Sequence, residues 1–520
     1  MSIRGRGTAA TAAWFVAGAA ALALLLSGCG PAGGAEGDRD PASASAMSAE
    51  WQAREFAAYY DQEIEWVECG EDEGLDEYLA DELDAAGFDL DGIACAYIAA
   101  PFDWQDPANE ESIELSIVHI PSTGEDEPLG TLLANPGGPG GTGVDFMLGM
   151  ALAPGFDEVA AHYDLLGFDP RGIGGSTPID CDGGGSKLPV VQLGVCIAEN
   201  PLTHTMGTSQ VARDMELMRA LMGDERLNLL GYSYGTMLGA TYASLFPENV
   251  GRMVLDSAEN AEWAGLIHNF DQKVAQANAA IALATACTTE YAGQVESCPF
   301  VDEETLLGVI AELDESPLIA SDGTGITGAM LRDHLIDALY ESHFERGRTL
   351  DTVALALFGD QEAIDEIAAG SGGEGVEMGI TVVTCHSFPV EPDIPGLLAH
   401  IEETGMPRLF GGPDIDDTTL APFIDLSCYA LPESGLDFTE SFGAPGAGPI
   451  LVIGITGDHA TPFQYAQVLA DELGDARLLT LDGQGHVASY LERSSCIDTA
   501  TTAYLLTGEL PAEGTVCTGD

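Results

Sequence analysis

The sequence predicts an α/β fold, a mostly parallel central sheet carrying a large, mainly helical insertion. Three observations lead there. Apolar runs of strand length alternate with helical patterns from residue 95 to residue 256. The pentapeptide Gly231-Tyr-Ser-Tyr-Gly235 stands between one such run and a helical stretch. The strand rhythm then stops near Asn260 and resumes only at Pro449.

The elements follow in order. Residues 49–93 carry short acidic helical patterns, Ala49 to Gln62 and Leu75 to Ala86, and read as an N-terminal helical extension. Cys95 to Ile98 is strand-like, and alternation over Ile113 to Ile120 predicts a strand. Leu129–Ala134, Tyr163–Phe168, Leu227–Leu230 and Arg252–Asp256 are nearly continuous apolar runs of the kind buried parallel strands show. Helices are predicted over Ser209 to Met222 and Thr236 to Leu245. Beyond Asn260 come long helical stretches: Ala264 to Ala286, Glu303 to Leu313, Thr327 to Ser342 and Thr349 to Phe358. Pro449–Gly454 and Ala476–Leu481 then restore strands, with a helix, Pro462 to Leu473, between them. The expected divisions are a leader (1–29), a tether (30–48), a first core part with its extension (49–260), a helical cap (261–445) and a second core part (446–520). So long a chain exceeds one minimal core, which agrees with a core plus an insertion.

The leader is an export signal. Arg4 and Arg6 precede an apolar stretch, Ala9 to Leu26, and Leu26-Ser-Gly-Cys29 matches a bacterial lipobox in which Cys29 receives the lipid. The competing reading is an ordinary signal peptide with Cys29 a bystander. Residues 30–48, rich in Gly, Ala, Ser and Pro, read as a flexible tether. Of eleven cysteines, Cys29 set aside, ten remain, an even number suited to an oxidising compartment. Connectivity is not fixed by sequence. Local pairing favours Cys69–Cys95, Cys181–Cys196, Cys287–Cys298 and Cys496–Cys517, leaving Cys385 with Cys428. No pair has the spacing of a zinc or redox site, so all ten read as staples.

Acidic residues number 85 against 17 basic ones, and Lys187 and Lys273 are the only lysines. Such a surface repels nucleic acid and anionic headgroups, so membrane attachment would rest on the anchor at Cys29.

Chemistry concentrates at Ser233. In a Gly-x-Ser-x-Gly elbow a sharp strand-to-helix turn lifts the serine hydroxyl clear of the sheet. With 64 glycines in the chain the pentapeptide alone is weak, and its context strengthens it. Asp458 follows the strand ending at Gly454, and His486 lies in Gly483-Gln-Gly-His486 after the last clear strand. That order, Ser then Asp then His, is the one this kind of fold requires. Ser233 is the candidate nucleophile, His486 its base, and Asp458 the acid that orients the imidazole. His459 is a rival base by sequence, but its place beside Asp458 is poor for bonding that carboxylate. His386, next to Cys385, reads as structural. An oxyanion needs fixed N–H donors. The amide of Tyr234 is one, and the loop Asn135–Gly143 supplies the other, Gly138 first and Gly137 second. A phosphate-binding loop is excluded there, because no Gly-Lys-Ser/Thr follows and the prolines remove donors.

Together these residues amount to a family resemblance. The chain resembles the tripeptidyl aminopeptidase and proline iminopeptidase branch of the α/β-hydrolases, in the group of exported actinobacterial lipoproteins. The matching stretches include Asn135-Pro-Gly-Gly-Pro-Gly-Gly141, Phe168-Asp-Pro-Arg-Gly-Ile-Gly-Gly-Ser176 and Gly231-Tyr-Ser-Tyr-Gly235. Val254-Leu-Asp256, Asp458-x-x-Thr-Pro462 and the ending from Ser494 to Cys517 match as well. The resemblance spans residues 66–520 and is weakest in the cap. It implies an α/β-hydrolase fold and a lipid-anchored serine aminopeptidase that releases short peptides, tripeptides among them, from substrates with free N-termini. It implies no metal and no organic cofactor. It carries the triad roles to Ser233, Asp458 and His486, the oxyanion roles to Gly138 and Tyr234, and a loop-tying role to Arg171. Two departures stand out. Cys385-His-Ser-Phe lacks the acid expected soon after that cysteine, and the cap holds too many carboxylates to single out one for a substrate amine. The alternatives are a carboxylesterase with the same triad and a catalytically silent binding lipoprotein.

Overall fold

Long runs of aliphatic residues build a single ten-stranded sheet through the core. The computed structural model describes residues 48–519 apart from 71–73, 182–187, 264, 296, 372–377, 389–392, 416, 421–422, 425–427 and 429–441. The leader, Cys29 and most of the tether lie outside the described residues.

The strands are β1 (Val67–Glu68), β2 (Ala94–Pro101), β3 (Ser112–Ile120), β4 (Thr131–Asn135), β5 (Asp164–Phe168), β6 (Leu227–Tyr232) and β7 (Val250–Asp256). A small hairpin in the insertion gives β8 (Leu318–Ile319) and β9 (Gly325–Ile326), and the sheet ends with β10 (Ile450–Gly457), β11 (Ala476–Gln484) and β12 (Val516–Thr518). Across the sheet the order is β1-β2-β3-β5-β4-β6-β7-β10-β11-β12. The pairs β1–β2, β2–β3 and β3–β5 are antiparallel. From β5 to β12 all pairs are parallel.

Sequence alternation assigns side chains to the two faces. Leu133, Leu229, Leu255 and Val452 join one apolar cluster with the helices Thr208–Met222, Tyr234–Leu245 and Phe463–Leu473. Their neighbours Leu132, Leu230, Val254 and Leu451 join the other, with Gly143–Met150 and Ser495–Thr507. Because helices cover both faces, β4 and β6 are buried along their whole length.

Among the described residues the regular elements of 261–445 are helices, apart from the β8–β9 hairpin. Helices including Leu266–Ala286, Gly328–Asp337 and His343–Leu357 share an apolar centre around Phe270, Leu335, Val353 and Phe410. The helix expected over Thr327 to Ser342 ends at Asp337, and a single tight turn, Ala338–Tyr340, follows. Ser342 and Glu345 then form a reciprocal cap, which starts a new helix at His343. The helix Met378–Ser387 packs differently: its Met378, Val382, Val383 and Cys385 belong to the core cluster. Its Ser387 Oγ accepts hydrogen bonds from the Thr208 amide (2.8 Å) and hydroxyl (2.7 Å).

Five disulfides are present: Cys69–Cys95, Cys181–Cys196, Cys287–Cys298, Cys385–Cys428 and Cys496–Cys517. Bonds of this kind persist in oxidising surroundings, which places the protein outside the cytoplasm. No helix among the described residues is long and apolar enough to cross a membrane.

Candidate active site

Ser233 occupies the turn between β6 and the helix Tyr234–Leu245, with φ +54° and ψ −123°. The flanking glycines are required by close approach. A Cβ on Gly231 would lie 2.5 Å from Gly235 O, and one on Gly235 would lie 2.8 Å from Asn135 O. The Ser233 amide donates to Asp256 O (3.0 Å), tying the elbow to the end of β7.

The histidine and its acid lie in the loops after β11 and β10. His486 Nδ1 is 3.0 Å from Asp458 Oδ1 and 3.2 Å from Oδ2. Asp458 Oδ1 accepts the amides of Ala460 and Thr461, each at 2.9 Å. Its Oδ2 accepts the hydroxyls of Ser257 (2.7 Å) and Thr461 (2.8 Å). Burial alone would raise the Asp458 carboxyl, but the charge and hydrogen bond of His486 outweigh it and bring it down to about 2. The carboxylate therefore stays ionised, an arrangement suited to holding a proton on Nδ1 and leaving Nε2 of His486, the candidate base, turned away from the acid. Among the described residues, His486 is hydrogen-bonded to Asp458 and not to Ser233. Contacts of that second kind commonly tighten only when substrate binds.

Asp256 and Ser257 hold the histidine loop in place. Asp256 accepts the Ala488 amide (3.1 Å to Oδ1) and the amide (2.7 Å) and hydroxyl (2.5 Å) of Ser489. Ser257 Oγ accepts the Val487 amide at 2.7 Å while donating to Asp458. Ser233 and His486 thus hang from the same strand end.

The loop after β4 lies against the elbow. Gly137 has φ +96°, and a Cβ there would meet Tyr232 O at 2.5 Å, Ser233 Cβ at 2.8 Å and Tyr234 N at 3.0 Å. The Gly137 amide donates to Asn135 Oδ1 (3.0 Å), and Gly138 follows it with φ +107°. Tyr234 is the first residue of its helix, where the helix dipole favours negative charge. Asn135 Nδ2 is buried and unpaired among the described residues, a second amide beside the elbow.

His459 is buried, and burial pushes its imidazole down to about 3. Its ring meets Tyr340 of the cap edge-on at 4.6 Å rather than bonding Asp458. Tyr340 also stands edge-on to His486 at 5.9 Å, so a residue of the helical insertion stands over the candidate triad histidine. Arg171 is fully buried and forms a two-pronged bond to Asp214 (2.8 and 2.6 Å), with a further bond to Phe102 O at 2.9 Å. It fixes the loops behind the site and does not enter it. His386 Nε2 is bound to the carbonyl of His204. Among the described residues no group of three His, Cys, Asp or Glu side chains is placed to hold a metal. The supporting roles of Asp256, Ser257 and Thr461 escape sequence reading, although Val254-Leu-Asp256 and Asp458-x-x-Thr-Pro462 mark the positions.

A mostly parallel sheet in this order, with a serine elbow after β6 and an acid–histidine pair after β10 and β11, defines a class. The chain belongs to the α/β-hydrolase family, whose model, described as the alpha/beta hydrolase fold, matches residues 130–492, and it is a serine hydrolase. It is 29% identical over 474 residues to the serine protease Hip1 of Mycobacterium tuberculosis H37Rv, covering 82% of this chain and 87% of that one. It is 28% identical over 502 residues to the tripeptidyl aminopeptidase of Streptomyces lividans, covering 87% and 86%. It is also 28% identical over 468 residues to carboxylesterase B of Mycobacterium tuberculosis H37Rv, covering 81% and 86%.

Proposed function

We propose that the protein is an exported, lipid-anchored serine aminopeptidase that releases short peptides, tripeptides among them, from free N-termini. The observation that carries the proposal is the Asp458–His486 pair, hung from the same strand end as the Ser233 elbow and roofed by a cap residue. Ser233 Oγ attacks the scissile carbonyl as His486 Nε2 takes its proton, and the amides of Gly138 and Tyr234 stabilise the oxyanion. His486 returns the proton to the leaving amine, and water then attacks the acyl-enzyme by the same route. A helical cap over the site admits chain ends more readily than folded chains, which favours an exopeptidase. The lipobox at Cys29 supports attachment to the outer face of the cell membrane.

The second reading is a carboxylesterase, because carboxylesterase B matches over a similar span. A matched fluorogenic set separates the two, using protein lacking residues 1–29. It comprises a free-amine tripeptide amide, the same tripeptide N-acetylated and a short-chain ester. Cleavage of the free tripeptide that is lost on acetylation supports the aminopeptidase. Ester cleavage without amide cleavage moves the assignment to the esterase.

A further inference from the structure

A cavity of about 450 Å³ lies between the cap and the loop that carries His486. Its core wall is the segment Gly483–Gly485 with Arg493, and its cap wall runs from Leu339 to Arg346. His459, beside Asp458, also lines it.

Two guanidinium groups share this space. Arg493 packs on Gly485, immediately before His486: any side chain at Gly485, where φ is +128°, would run into the guanidinium. Arg493 Nε is buried and unpaired among the described residues. Arg346 gives hydrogen bonds to the carbonyls of Ala338 (3.3 Å) and Leu339. Among the described residues neither arginine has an ion-paired carboxylate, in a chain of 85 acidic and 17 basic residues. The acids on the cavity wall are otherwise engaged or exposed. Glu290 pairs with His343 (3.1 Å), Glu341 accepts the Thr349 hydroxyl (2.8 Å), and Glu492 is exposed. Burial, and after it the charge of Arg346, lowers the affinity of Arg493 for its proton, against the weaker opposing pull of the Asp458 and Asp256 carboxylates. Two like charges facing one cavity are costly unless an anion lies between them.

The position of the cavity gives that anion an identity. The imidazole that protonates the leaving amine faces the leaving segment, so the part of the substrate beyond the scissile bond departs past His486. We propose that the cavity receives this leaving segment and that Arg346 and Arg493 hold a carboxylate on it. The carboxylate is either an acidic side chain or the free C-terminus of a short peptide, and a guanidinium fork suits both. The inference rests on the aminopeptidase reading for the direction of the substrate. Ser233, His486 and Asp458 would do the chemistry, while the two arginines would select and place the peptide.

The test uses three peptides with one free-amine tripeptide and three leaving segments: alanine amide, glutamate amide, and alanine with a free carboxylate. Cleavage is followed by mass spectrometry in wild type and in the variants Arg346→Gln, Arg346→Lys, Arg493→Gln and Arg493→Lys. We expect the wild type to favour at least one carboxylate-bearing peptide over the neutral one by about tenfold in kcat/KM, mainly through KM. That ratio should fall toward one in each glutamine variant and recover in part with lysine. Preference for glutamate amide identifies a side-chain subsite, and preference for the free carboxylate identifies a C-terminal one. Equal cleavage of all three peptides, or a preference that survives both glutamine substitutions, overturns the proposal. Calorimetric binding of the same peptides to Ser233→Ala separates this outcome from failure of the peptidase reading. Tighter binding of carboxylate-bearing peptides without any cleavage in wild type keeps the subsite and removes the reaction. Equal or absent binding removes the subsite.

Discussion

Ser233 keeps its left-handed backbone because the turn is over-determined: two glycines allow the close approach, and its amide is anchored on Asp256. Strain of this kind is common where a side chain must be presented for chemistry. We expect Ser233→Ala to lose essentially all turnover. Asp458→Asn should lower kcat by about four orders of magnitude, because the amide no longer holds the proton on Nδ1. Active-site titration beside a melting curve would show whether the loss is chemical or structural. His459 gives a separate, thermodynamic prediction. The folded chain keeps it neutral down to about pH 3, while the unfolded chain protonates it near its ordinary value of 6.5. Its contribution to stability is complete above pH 6.5 and is lost as pH falls toward 3, by about 1.4 kcal/mol per pH unit. Urea unfolding at pH 7 and pH 5 should therefore show the wild type losing about 2 kcal/mol more than His459→Phe. Equal losses would show that the imidazole is not buried neutral.

At the scale of elements, the loop after β4 is the sharpest case. A Cβ on Gly137 would strike Tyr232 O and Ser233 Cβ, so Gly137→Ala should cost at least about a hundredfold in kcat, the scale of one lost oxyanion donor. Gly149 in the helix Gly143–Met150 has open space where a Cβ would go, and Gly149→Ala should leave activity intact while gaining up to about 1 kcal/mol. Steady-state kinetics and thermal melting of the two variants side by side check both. Strands β4, β6, β7 and β10 were legible because burial on both faces leaves a nearly unbroken apolar run. β1 and β12 were not, since two or three residues carry no period. The roles of Ser257 and Asp256 were hidden for another reason. Ser257 meets Asp458 and Val487 across 201 and 230 residues of sequence, and only the fold brings them together. The helix Met378–Ser387 lies within the insertion by sequence and packs on the core, because its apolar residues match the core cluster around Met206 and Met215.

At the scale of the whole molecule, a formal charge of −68 sets one part against another. Self-repulsion opposes the compact state and is screened by salt. We expect the melting temperature to rise by several degrees between about 0.05 and 1 M NaCl, since the Debye length falls from over 10 Å to about 3 Å. A flat salt response would mean that the acidic surface is neutralised some other way. Arg346 and Arg493, which line one cavity, stand locally against that field.

Labelling with a fluorophosphonate, followed by mapping of the adduct by mass spectrometry, decides whether Ser233 is the nucleophile. A single adduct on Ser233 is expected, absent in Ser233→Ala and formed far more slowly in His486→Ala. An adduct on another residue, or none on a folded protein, would contradict it.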